Sequence, residues 1–215
     1  MISGAMYSQF IYYEIVTSNW QLSILFFSTF VTGQNIFNME WYNEPAKWSA
    51  DGDTLEMEVT PKSDYWRKTH YGFTADSGPF YFCNVISDFE VSVKITGDYQ
   101  SQYDQMGLML RIDDNHWIKT GIEFVDGLCN FSAVVTNEYS SWNVIPLREK
   151  PVSIWIRAIR KKDAVEIFYA MDNIDFQLSN LAYFPENQPA MVGMMAASPT
   201  GEGFNAKFEH FSVKK

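Results

Sequence analysis

Apolar and polar residues alternate along Tyr103–Glu123, YDQMGLMLRIDDNHWIKTGIE, on both sides of a polar turn at Asp114-Asn115-His116. A period of two is the signature of a strand with one buried face, because successive side chains point to opposite sides. The stretch therefore predicts a β-hairpin. Leu108, Leu110 and Ile112 fall on one face of its first strand, and Ile118, Ile122 and Phe124 on one face of its second. Gln105, Met109, Arg111, Trp117, Lys119 and Glu123 fall on the opposite faces. Pairing Asp113 with Trp117 keeps the two apolar faces together and sets Arg111 opposite Lys119, Met109 opposite Gly121 and Gly107 opposite Glu123. Two cations directly across a sheet repel. That register thus calls for an acid nearby: Glu123, Asp64, Asp104 or a ligand.

The same alternation recurs along the chain. Leu55, Met57 and Val59 alternate with glutamates, and Phe89, Val91, Val93 and Ile95 with Glu90, Ser92 and Lys94. Val152, Ile154 and Ile156 form another run, as do Val165, Ile167 and Tyr169, which a turn at Asp172-Asn173 follows. Met191–Ala197 and Phe204–Val213 read as closing strands, and Asn180–Tyr183 as a short helical turn. Many short strands separated by Gly, Pro, Asn and Asp predict an all-β antiparallel sandwich or barrel.

Composition narrows the reading. A chain of 215 residues suits one such domain, and 47% hydrophobic residues supply a core. A net charge of −10 argues against nucleic acid and anionic membrane as partners. Cys83 and Cys129 give no disulfide framework and read as buried thiols, with a single bridge as the alternative. His70, His116 and His210 lie far apart and offer no metal-ligand spacing, so no metal and no cofactor is expected.

Residues 1–36 differ from the rest. Residues 1–34 carry no Lys or Arg, and Trp20–Val31 is nearly apolar but too short to span a bilayer. The segment reads as an N-terminal extension. A signal peptide ending near Val31-Thr32-Gly33, or an added element packed on the domain, are the alternatives. Residues 37–215 form the expected domain. The expected compartment is the cytoplasm, or the exterior if the first 33 residues act as a signal.

Several stretches together resemble a family of concanavalin A-like jelly rolls of uncharacterised function, which includes the fungal regulation-of-enolase protein and bacterial relatives. The central one is Tyr103–Asp113 with Trp117–Glu123. Others are Trp41-Tyr42-Asn43-Glu44-Pro45, the run from Asp64 to Gly72, Ser132–Asn137 with Ser141-Trp142, and Ala197-Ser198-Pro199 with Phe204. The resemblance covers about residues 39–213. It implies two curved antiparallel sheets, with sugar bound on the concave sheet in related lectins and glucanases. It implies no established activity.

Sugars present apolar C–H faces and rings of hydroxyls, so a site for them needs flat aromatics and directional polar groups. Trp66, Tyr71, Tyr103, Trp117 and Trp142 are candidate aromatics. Asp64, Gln105, Arg111, Lys119 and Glu123 are candidate hydrogen-bonding groups, and His70 lies in the matched run from Asp64. The leading expectation is a non-catalytic carbohydrate- or polyol-binding domain. One alternative is a glycoside hydrolase using Glu123 with Asp64 or Asp113, since hydrolysis needs two carboxyl groups about 5–9.5 Å apart. No Glu-x-Asp-x-x-Glu run supports it. The other alternative, which rests on the family resemblance, is a regulator of a metabolic enzyme such as enolase.

Overall fold

The computed structural model describes residues 39–215, and the expectations for residues 1–36 lie outside them. Every regular element among the described residues is a strand. In chain order they are β1 (Glu40–Tyr42), β2 (Trp48–Asp51), β3 (Thr54–Glu58), β4 (Tyr65–Arg67), β5 (Thr74–Asp76), β6 (Phe80–Val85), β7 (Phe89–Gly97) and β8 (Gln105–Arg111). They continue as β9 (His116–Val125), β10 (Leu128–Asn137), β11 (Tyr139–Pro146), β12 (Ile154–Lys161), β13 (Ala164–Ala170), β14 (Gln177–Tyr183), β15 (Ala190–Ala197) and β16 (Asn205–Lys214). No helix among them is long and apolar enough to cross a membrane.

The strands form the expected antiparallel sandwich. One seven-stranded sheet runs β1-β6-β15-β8-β9-β10-β11, and the other β14-β13-β12-β7-β16-β3-β2. Alternation dictates what lies between them. Leu108, Leu110, Ile118 and Ile122 of the first sheet pack in one cluster with Val91, Val93, Ile156, Ile167 and Phe208 of the second. Cys83 and Cys129 are buried free thiols. Their burial pushes both thiol pKa values up.

Three sequence expectations are corrected. Asn180–Tyr183 is not a helical turn but part of β14, which pairs with β13 and edges the second sheet. The β8–β9 hairpin is two residues out from the expected register: Arg111 pairs with Trp117, Met109 with Lys119, Gly107 with Gly121 and Gln105 with Glu123. The turn accounts for the shift. Asp113 Oδ1 accepts the backbone N–H groups of Asn115 and His116, and Ile112 N donates to His116 O, so the loop closes on Asp113-Asp114-Asn115. Arg111 and Lys119 are consequently not directly opposed.

The third correction concerns the polar face of β8 and β9. A small sheet, β4 paired with β5, covers part of it. Beneath this hairpin Tyr65, Phe80, Phe82, Met109, Trp117, Val134 and Met195 form a second buried cluster. Both faces of β8 are therefore buried, although its sequence alternates. Gly78 makes the roof fit: a Cβ there would stand 2.5 Å from the Tyr65 ring, whose hydroxyl donates to Gly78 O.

Candidate functional site

The roof is fastened by the two cations of the sheet beneath it. Tyr65 and Asp76 are register partners across β4 and β5. Lys119 Nζ donates to Tyr65 O at 2.8 Å. Arg111 grips the Asp76 carboxylate through two hydrogen bonds of 2.8 Å and also donates to Asp114. This bidentate geometry is the strong form of an Arg–carboxylate pair. Burial opposes the guanidinium charge, but Asp76 outweighs it and moves the Arg111 pKa up. Arg67 N donates to Ser140 Oγ on β11, tying down another edge.

These bonds revise the expected site. Arg111 is 1% exposed and committed to Asp76 and Asp114, neither of which was expected as its partner. Trp117 is also 1% exposed, with the Tyr65 ring 6.1 Å away edge-on, so it cannot stack on a sugar. Asp113 is held in the β8–β9 turn by two backbone amides and the His116 ring. His70 sits exposed at the hairpin tip with its ring against Tyr71. None of these four lines the cavity described next. Asp104 is buried as the anchor of its loop, accepting from Gln100 N, Ser101 N and Ser198 Oγ.

Beside the roof lies a cavity of about 420 Å³. Trp66, Tyr71, Phe73 and Ala75 line it from the hairpin side, and Tyr103 and Trp142 from other elements. The aromatics form two contact groups. Trp66 meets Tyr71 edge-on at 5.7 Å and Tyr71 meets Phe73 at 6.0 Å, while Tyr103 meets Trp142 edge-on at 6.3 Å. Tyr71 is 55% and Phe73 46% exposed.

Asp64, Gln105, Lys119 and Glu123 supply polar lining. Lys119 also donates to Gln105 Oε1 and stands 3.7 Å from Asp64 Oδ1. Asp64 Oδ1 accepts further from Tyr65 N at 2.7 Å and Gln105 Nε2 at 3.4 Å. Glu123 Oε2 accepts from Ser132 Oγ at 2.7 Å and from Trp142 Nε1 at 2.8 Å. Between the Gln105–Glu123 and Met109–Lys119 pairs lies Gly107 opposite Gly121, which leaves β8 and β9 without side chains at that one pair. Contact between the strands explains the pair of glycines, since a Cβ on Gly107 would come within 1.9 Å of Thr120 O.

Of the candidate ligand-contacting residues, the cavity thus brings together Trp66, Tyr71, Tyr103, Gln105, Lys119, Glu123 and Trp142, with Asp64 beside them. Phe73, Lys62, Val134, Pro199 and Thr200 also line it and were not anticipated. Phe73 follows the matched run by one residue. Pro199 lay within another matched stretch, but nothing in its own chemistry marked it. Among the described residues no group of three or more His, Cys, Asp or Glu side chains is placed to hold a metal ion.

The chain and its fold have relatives. Regulation of enolase protein 1 of Saccharomyces cerevisiae is 37% identical over 173 residues, covering 80% of this chain and 87% of that protein. A crystal structure of a functionally unknown protein from Saccharomyces cerevisiae superposes with a TM-score of 0.82 at 35% identity, covering 84% of this chain and 98% of that one. The carbohydrate-binding module CBM66 from Bacillus subtilis shares the fold at a TM-score of 0.53 and 14% identity, over 83% of this chain and 98% of that one. Residues 41–215 match the family described as protein of unknown function, DUF1349. With that match over most of its length, the chain belongs to the DUF1349 family.

Proposed function

We propose that the protein is a non-catalytic binding module for a carbohydrate or similar polyol, held in the cavity beside the β4–β5 roof. The observation that carries this reading is the rim of exposed aromatics around recessed polar groups. Tyr71 and Phe73 leave apolar ring surface in water, which marks a contact surface when it lines a concave site. Trp66, Tyr71 and Trp142 offer ring faces for sugar C–H groups, and Gln105, Asp64 and Glu123 offer acceptors for hydroxyls. The cavity volume lies within the usual range for small-ligand sites, roughly 300–1,000 Å³. The sandwich shared with a module named for carbohydrate binding is consistent with this use of the fold.

A glycan array followed by heteronuclear NMR titration tests it. Binding should shift the indole resonances of Trp66 and Trp142 and leave that of Trp117 in place. Tyr71→Ala should weaken binding while the thermal midpoint stays unchanged, because the ring is exposed at the rim. No glycan bound by the wild type at millimolar concentration would remove the reading.

Hydrolysis is the weaker use of the same cavity. Glu123 and Asp64 both line it, but Asp64 Oδ1 is taken up by Tyr65 N, Gln105 and Lys119. Turnover of aryl glycosides that Glu123→Gln abolishes would favour hydrolysis over simple binding. A regulatory role towards a metabolic enzyme has its own support in the name of the yeast relative, regulation of enolase protein 1. Enrichment of enolase with the tagged wild-type chain from native extract would favour it, and its absence would count against it.

A further inference from the structure

The cavity lining carries two cations, Lys62 and Lys119, and two carboxylates, Asp64 and Glu123, and these are unevenly paired. The Lys119 ammonium is held by Tyr65 O and Gln105 Oε1, with Asp64 as its nearby anion. Lys62 donates to Thr200 O at 2.6 Å and pairs with Glu202 at 2.9 Å. Both cations that line the cavity are therefore already engaged by protein oxygens. Glu123 is 6% exposed, and among the described residues it forms no ion pair. Its Oε2 is held by Ser132 and Trp142, two neutral donors, while its second oxygen has no donor among the described residues. Asp64 shows the same split, with Oδ1 occupied and Oδ2 without a described partner.

A recessed carboxylate without a counter-ion is costly unless a ligand supplies donors or positive charge. Resting on the carbohydrate reading, we infer that the cavity selects by charge. It takes sugars that bring hydrogen-bond donors, neutral or amino-substituted, and it rejects uronic acids and other anionic sugars. The physical reason is Glu123. A ligand carboxylate placed beside it meets like charge in a site of reduced dielectric, with Lys119 and Lys62 already engaged elsewhere. A hydroxyl or ammonium group placed there meets an open acceptor. The aromatic walls add to this preference, since ring faces attract cations and repel anions.

The test uses the full chain and three matched sets of methyl glycosides: gluco- and galactopyranosides, their amino counterparts and their uronates. Affinities are read by NMR titration at low salt, at a pH where the amines are protonated. The expected result is that neutral and amino glycosides bind and that uronates bind roughly tenfold more weakly or worse. Raised salt should narrow that gap. Glu123→Gln keeps the shape and one acceptor but removes the charge, so it should reduce the uronate penalty to about threefold or less. Uronates binding as tightly as their neutral counterparts in the wild type would overturn the charge selection and leave the carbohydrate reading standing. A wild-type penalty that persists unchanged in folded Glu123→Gln would overturn the assignment to Glu123. If the variant fails to fold, the wild-type ratio and its salt dependence still decide. No binding in any of the three sets would bring down the carbohydrate reading and this inference with it.

Discussion

Lys119 Nζ donates to the main-chain carbonyl of Tyr65 at 2.8 Å, so a cation on the sheet holds down the strand that covers it. The same ammonium bonds to Gln105 Oε1 and lies 3.7 Å from Asp64. Lys119→Met keeps the apolar stem and removes the charge, which leaves Tyr65 O and Gln105 Oε1 without their donor. The loss expected is about 2 kcal/mol, the scale for a buried charge-assisted hydrogen bond. Urea unfolding measures it. Iodide quenching of tryptophan fluorescence should rise as the roof loosens over Trp117. A variant as stable as the wild type, with unchanged quenching, would show that the roof does not depend on this bond.

Trp117 and Trp142 separate structure from binding. Trp117 lies beneath Tyr65 in the second buried cluster, whereas Trp142 is 38% exposed at the cavity. Trp117→Ala should cost about 3–5 kcal/mol, as large-to-small core substitutions do. Any binding it loses should track the unfolded fraction. A Trp117→Ala chain with wild-type stability and no ligand binding would return Trp117 to the site.

Much of the sandwich can be read in the alternating runs, because Leu108, Leu110, Ile118 and Ile122 have one environment to share. The hairpin register cannot be read the same way. A slip of two residues preserves every face, so alternation alone does not separate Asp113 opposite Trp117 from Arg111 opposite Trp117. Only the Asp113 turn decides between them. The burial of Arg111 and Trp117 is equally invisible locally. It depends on Tyr65 and Asp76, far away in sequence, folding back as a roof. Polar residues on an alternating strand look solvent-facing unless the covering segment is known. The run from Asp64 was legible as part of the site, but not as its lid over Trp117.

Gly107 faces Gly121 across β8 and β9, where the backbones leave no space for a side chain. A Cβ on Gly107 would stand 1.9 Å from Thr120 O and 2.7 Å from Gly121 Cα. Backbone atoms cannot step aside as a flexible side chain can. Gly107→Ala should therefore cost about 3 kcal/mol or more, at the upper end for overpacking. Gly52 is the control: its φ is +60°, nothing stands within 4 Å of an added Cβ, and Asn tolerates that backbone region. Gly52→Asn should change stability by about 1 kcal/mol or less. Equal midpoints for the two variants in thermal unfolding would contradict the close approach.

Acid should weaken the fold through Asp113 and Glu209. Burial favours the protonated Asp113 carboxyl, but the N–H groups of Asn115 and His116 and the His116 ring outweigh it and hold its pKa low. Burial likewise opposes Glu209 ionisation, and Lys207 and Lys94 overcome it. Both folded pKa values lie below their unfolded ones. Their stabilisation is present above the unfolded carboxylate range, about pH 4, and is lost as pH falls through the folded values. Asp113→Asn removes one titrating group, so stability should fall less steeply with acid than in the wild type. Urea midpoints measured across that range would show this. An identical slope would mean that the turn carboxylate does not couple to folding.

The Trp142 indole joins the aromatic rim to the carboxylate. Its Nε1 donates to Glu123 Oε2 at 2.8 Å, and the ring stands edge-on to Tyr103. Trp142→Phe keeps an aromatic face but deletes the donor. Glu123 retains Ser132 Oγ, so the stability cost should stay near 1 kcal/mol, that of one lost hydrogen bond. The effect on binding should be larger than the effect on folding. With one donor gone, the carboxylate is held by Ser132 Oγ alone and is less firmly oriented beside the cavity. A neutral glycoside bound by the wild type should lose roughly three- to tenfold in affinity, and Glu123→Gln in the same background should add less than it does alone. Additive losses in that double-mutant cycle would show that the indole and the carboxylate act separately. Full affinity in Trp142→Phe would mean that the indole does not orient Glu123 for a ligand at all.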